Sequence, residues 1–86
     1  MPPVTVYTTP FCPYCSRALS LLSKKGATVT EIAAGMDSAK KAEMMQRSGG
    51  RRTFPQIFIG ETHVGGCDDL HALDAAGRLD PILNAA

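Results

Sequence analysis

The stretch Val4-Thr5-Val6-Tyr7-Thr8-Thr9-Pro10-Phe11-Cys12-Pro13-Tyr14-Cys15 decides how this chain reads. Val4 to Thr8 is β-branched and aromatic, with Val4 and Val6 on one face and Thr5 and Tyr7 on the other, so it predicts a buried first strand. Thr9-Pro10-Phe11 breaks that strand, because Pro10 has no N–H to give to a ladder. Pro13 suits the first position of a helix, where its missing N–H would have no partner anyway. Cys12 and Cys15 then stand three apart at a helix N-terminus, close enough to meet across one turn. There the backbone N–H groups and the helix dipole favour a thiolate, the nucleophilic form. This spacing points to a thiol–disulfide redox pair. Cys12, outermost, is the expected attacker, and Cys15, one turn in, the expected resolving thiol.

Beyond the pair, Ala18, Leu19, Leu21 and Leu22 make one apolar face, with Ser16, Arg17, Ser20 and Lys24 opposite. Lys24 and Lys25 complement the dipole in the last turn, and Gly26 is a stop signal. Residues 27–32 predict a second strand, parallel to the first because a helix intervenes. A second helix is expected from Asp37 or Ser38 to about Ser48, burying Ala39, Ala42 and Met45, with Gly49-Gly50 ending it. Gln56 to Ile59 and Thr62 to Val64 predict a hairpin turning at Gly60-Glu61. A third helix is expected to begin at Cys67-Asp68-Asp69, burying Leu70, Leu73 and Ala76 and stopping at Gly77. Asp80-Pro81 predicts cap and first residue of a short last helix through Leu83. The order β-α-β-α-β-β-α, with a small helical tail, implies an α/β fold: a four-stranded mixed sheet with helices on both faces.

The 86 residues are enough for one domain, 1–86, with an ordinary 44% apolar fraction. A formal net charge of +1 gives no field suited to nucleic acid or an anionic membrane surface. No run is long and apolar enough to span a bilayer. The N-terminus has neither the basic nor the apolar region of a secretory leader. Three cysteines are too few and too close for a disulfide framework, so a reducing compartment, the cytoplasm, is expected.

Three motifs together resemble the dithiol glutaredoxin family of the small bacterial kind: Cys12-Pro13-Tyr14-Cys15, Thr53-Phe54-Pro55, and Gly65-Gly66-Cys67-Asp68-Asp69-Leu70. The resemblance covers nearly the whole chain and implies the thioredoxin fold, a cis Pro55 and a glutathione-dependent oxidoreductase. Glutathione would be a co-substrate, with no tightly bound cofactor and no metal. It implies that Cys12 and Cys15 are catalytic, that Tyr14 lines the glutathione groove, and that the Phe54 backbone pairs with the cysteinyl unit of glutathione. The N–H groups of Cys67 and Asp68, after Gly66, would hold the γ-glutamyl carboxylate, and Asp68 or Asp69 the amine. Disulfide-containing or glutathionylated proteins would be the clients and the chain a monomer.

This sequence departs from the family where many relatives carry a lysine: Thr9 stands there. Arg51 or Arg52, with Arg52 preferred, is expected to supply the missing charge. Phe54 replaces the usual valine. Other readings are a glutaredoxin-like carrier reduced by thioredoxin reductase, or a metal or iron–sulfur module using Cys12, Cys15, Cys67, His63 and His71. The latter lacks a second paired-ligand motif, and Pro13 is unfavourable for iron–sulfur binding. Cys67 reads more readily as a small residue at a helix start than as a regulatory thiol, with exposure deciding. Tyr7 reads as core, His63 and His71 as surface residues, and Lys40-Lys41 as a solvated helix face.

Overall fold

The computed structural model describes residues 2–85. The elements follow in the order β1 (Val4–Thr8), α1 (Pro13–Lys24), β2 (Val29–Ala33), α2 (Ser38–Arg47), β3 (Gln56–Ile59), β4 (Thr62–Gly65), α3 (Cys67–Ala75) and α4 (Leu79–Leu83). The four strands form one sheet in the order β2-β1-β3-β4. β1 pairs parallel with β2 and antiparallel with β3, and β3–β4 is an antiparallel hairpin. This is the mixed sheet of the thioredoxin fold, as expected.

The alternation along β1 divides the core in two. Val4 and Val6 face Ile57, Ile59, Ala18, Leu22, Leu70, Leu79 and Leu83 in the larger cluster. Tyr7 faces the other way, into a smaller cluster with Ala34, Met44 and Phe58. Helices α1, α3 and α4 thus cover one face and α2 the other. Lys25 ties the ends together, reaching Asp74 at 2.8 Å and Asp80 at 2.9 Å.

Three details differ from the sequence reading. In α2 the buried residue is Met44, while Ala39 and Ala42 are exposed. The helix is turned so that a long flexible side chain, not two alanines, reaches Tyr7 and Phe58. In α3 the buried face is Cys67 and Leu70 with Leu73 half-buried; Ala76 is the exposed C-cap. α4 begins at Leu79, with Arg78 as cap, so Asp80 and Pro81 lie inside its first turn. Fully buried Leu79 anchors that earlier start. Pro81 is tolerated because first-turn N–H groups have no helical acceptor.

Candidate functional site

The site lies where β1 ends and α1 begins. Phe11 is exposed and holds a positive φ of 57°, which turns the chain so that Cys12 can cap α1 in an extended conformation. The Cys12 sulfur accepts a hydrogen bond from the Cys15 backbone N–H at 3.3 Å. This is an N-cap whose acceptor is sulfur, and a thiolate accepts better than a thiol. Cys12 is partly exposed and Cys15 is buried, with all three cysteines free. Burial first, and then the hydrogen bond with Cys12, pushes the Cys15 thiol up to about 11. The two sulfurs therefore differ: an accessible one held at the helix start, and a protonated one behind it.

The Phe54–Pro55 peptide bond is cis. The loop holding it is pinned by Gln56, which is fully buried and donates through Nε2 to the Thr53 carbonyl and hydroxyl, both at 3.0 Å. The third wall is the start of α3. Gly66 caps that helix in an extended conformation, and its N–H donates to Asp69 Oδ2 at 2.9 Å. Gly65, at φ 115°, must be glycine: a Cβ there would overlap the Asp69 carboxylate. The N–H groups of Cys67 and Asp68 fall in the first turn, where no helical carbonyl lies behind them.

Tyr14, the Thr53–Pro55 loop and the start of α3 line an open groove of about 360 Å³, with Arg51, Gly66, Cys67, Asp68 and Asp69 in its wall; of the redox stretch only Tyr14 reaches it. Every groove residue inferred from the three motifs is in this wall except Arg52. Arg51 is there in its place. Ser48 explains the choice: its buried hydroxyl donates to the Arg51 carbonyl at 3.2 Å and accepts from the Arg51 N–H at 3.1 Å. The intervening Gly49 and Gly50 both take positive φ, closing a tight turn. That turn sends Arg51 inward, where Nη1 lies 3.4 Å from Asp69 Oδ2. Thr9 is not in this wall; it packs against Gly35, where a Cβ would strike its hydroxyl.

Cys67 is buried at 4% exposure, and burial pushes its thiol above the ordinary value. It is a small wall residue and not an accessible thiol. The histidines differ from the surface reading. His63 is half-buried, stacks on Phe58 at 4.8 Å between centroids, and meets Gln56 Oε1 at 2.7 Å. The His71 Nε2 is buried. Among the described residues, no three His, Cys, Asp or Glu side chains converge to hold a metal ion. No helix of the described chain is long and apolar enough to cross a membrane.

A partly exposed cysteine capping a helix, a buried thiol one turn behind it, and a cis-proline loop elsewhere in the same fold are the parts of a thiol–disulfide exchange centre on a thioredoxin fold. Comparison with known proteins gives the family. The glutaredoxin family model matches residues 4–64. A glutaredoxin of Pseudomonas aeruginosa is 56% identical over 99% of this chain and 100% of its own length. Glutaredoxin 3 of Escherichia coli is 56% identical over 93% of this chain and 95% of its own. Among solved structures, a Brucella melitensis glutaredoxin superposes with a TM-score of 0.83 at 58% identity, covering 96% of this chain and 89% of that one. A buckwheat glutaredoxin–glutathione complex gives 0.83 at 36% identity, over 95% and 76%. The chain belongs to the glutaredoxin family, and its activity is thiol–disulfide exchange.

Proposed function

We propose that the protein reduces protein disulfides and protein–glutathione mixed disulfides, with glutathione as the reducing thiol. The observation that carries this is the single groove in which Tyr14, the Thr53–Pro55 loop and the start of α3 converge. Glutathione needs an extended-backbone partner for its cysteinyl unit and both charge signs close together for its γ-glutamyl zwitterion. Phe54 offers the first. The free first-turn N–H groups of Cys67 and Asp68 suit the carboxylate, a helix-start anion site. Asp68 is exposed and suits the amine, since Asp69 Oδ2 already accepts from Gly66 and faces Arg51. Arg51 suits a further carboxylate. The buckwheat relative described as a glutathione complex supports the same reading.

In the one-thiol route, the Cys12 thiolate attacks the glutathione sulfur of a mixed disulfide, the client thiol leaves, and a second glutathione frees Cys12. In the two-thiol route, Cys12 attacks a protein disulfide and Cys15 resolves the resulting mixed disulfide. Glutathione is a co-substrate, clients are disulfide-bonded or glutathionylated proteins, and a monomer suffices. Three cysteines, too few for a disulfide framework, suit a reducing compartment such as the cytoplasm. The test is reduction of a small mixed disulfide by glutathione with glutathione reductase, compared with thioredoxin and its reductase. Activity with the first system is expected; activity with only the second would overturn glutathione dependence.

A further inference from the structure

The two-thiol route leaves one proton without a destination. Cys15 is buried and protonated at neutral pH, yet it must attack as a thiolate. A second, open pocket of about 480 Å³ lies at the start of α1. Cys12 and Cys15 are both in its wall, together with Thr8, Thr9, Ser16 and Glu31. That volume has room for several waters. Glu31 is the one charged side chain among its lining residues.

The fold holds Glu31 there deliberately placed by register. It sits on β2 opposite Val6 of β1, and Val6 faces the α1 side of the sheet. Two residues along β1 on that same side, the Thr8 hydroxyl donates to Glu31 Oε2 at 2.9 Å, and Thr8 is buried. One carboxylate oxygen of the exposed Glu31 thus accepts from a buried donor, and Glu31 shares this pocket with the thiol that must lose a proton. The titratable groups facing this space are Cys12 from the loop before α1, Cys15 from α1 and Glu31 from β2; β1 contributes only the Thr8 hydroxyl.

We propose that Glu31 is the proton acceptor for Cys15 in the resolving step, reached through water in this cavity. The inference rests on the two-thiol route above. The Cys15 S–H proton passes to the Glu31 carboxylate as the Cys15 sulfur bonds to the Cys12 sulfur. The bond between Cys12 and the client sulfur breaks, and the client leaves as a thiolate that solvent then protonates. The dithiol pair is oxidised by two electrons, the client disulfide is reduced by two, and Glu31 returns its proton to solvent.

An aromatic disulfide that releases a coloured thiol separates the steps. Attack by Cys12 releases the first coloured thiol, and attack by Cys15 on the resulting mixed disulfide releases the second. In Glu31→Gln, whose amide oxygen still accepts from Thr8, the second release is expected to slow about tenfold or more relative to the first at neutral pH. It should also steepen toward direct proportionality with hydroxide. Glu31→Asp should recover part of the rate. An unchanged ratio of the two rates in Glu31→Gln, or equal slowing of both, would overturn the assignment. Should the Gln variant not fold, the ratio in Glu31→Asp decides: a value equal to that of the unsubstituted protein, with the same pH profile, overturns it. A Cys15→Ser control tells the two failures apart. If it still gives the second release, the two-thiol route itself is wrong; if it does not, only Glu31 is excluded.

Discussion

Gln56 spans the distance between His63 and Thr53: its Oε1 accepts from His63 Nε2 at 2.7 Å while its Nε2 donates twice to Thr53. Because a carbonyl oxygen can only accept, His63 carries its proton on Nε2. A fully buried amide without such partners would destabilise the fold by about 1–3 kcal/mol. Satisfied on both sides, Gln56 instead fastens β4 to the loop that carries Thr53, Phe54 and Pro55. Gln56→Leu should therefore lose stability by about 1–3 kcal/mol and raise the KM for glutathione more than it lowers kcat. Denaturant unfolding and steady-state kinetics check the two parts.

His63 makes stability depend on pH. Burial, and then the positive charge of Arg51, hold its pKa below the ordinary 6.5, opposed by Asp69. The folded state therefore binds fewer protons than the unfolded one just below that value. The contribution is complete above pH 6.5 and is lost as pH falls through the lower folded-state pKa. A melting temperature that declines on acidification below 6.5, with a shallower decline in His63→Gln, is expected from thermal scans.

The two arginines separate cleanly. Arg51→Ala should weaken apparent glutathione affinity about two- to fivefold, the value of an exposed charge contact near 0.5–1 kcal/mol. Arg52→Ala should leave it unchanged, as its side chain is outside the groove wall. Equal effects of the two, measured as KM for glutathione, would contradict the inward turn set by Ser48.

Cys15→Ser should keep reduction of protein–glutathione mixed disulfides and lose most reduction of protein disulfides, because only the second route uses the buried thiol. Parallel assays on a glutathionylated peptide and an intramolecular disulfide substrate check this. Loss of both activities would contradict the assigned roles.

On the opposite face, the Tyr7 hydroxyl donates to Glu43 Oε2 at 2.6 Å and accepts from Arg47 Nη1 at 2.8 Å. Arg47 also lies 4.3 Å from the Phe58 ring centroid. These bonds are how the polar α2 is held to the sheet despite burying little beyond Met44. Tyr7→Phe should cost about 1–2 kcal/mol, at the upper end of a single hydrogen bond because the partners are charged. Urea unfolding gives the value.

Much of this protein is determined by local sequence alone. Alternation in Val4 to Thr8, the 3.6-residue apolar stripe through Ala18 and Leu22, Pro13 after Cys12, and the glycine stops each encode their element through backbone geometry that nearby residues specify. The redox pair and the three groove segments could be read for the same reason: each is short and contiguous. What only the tertiary structure decided are the contacts between segments distant in the chain. Rotation of α2 onto Met44 depends on the size of the gap above Tyr7 and Phe58. The choice of Arg51 over Arg52 depends on a turn closed by Ser48, and two adjacent arginines carry no local signal to distinguish them. His63 became a half-buried partner of Gln56 because β4 folds back beside β3. Glu31 came to share a cavity with Cys15 because parallel pairing set its register against β1. Side-chain direction along one element follows from its own period, but which side chains meet across elements is settled only when the sheet and helices pack.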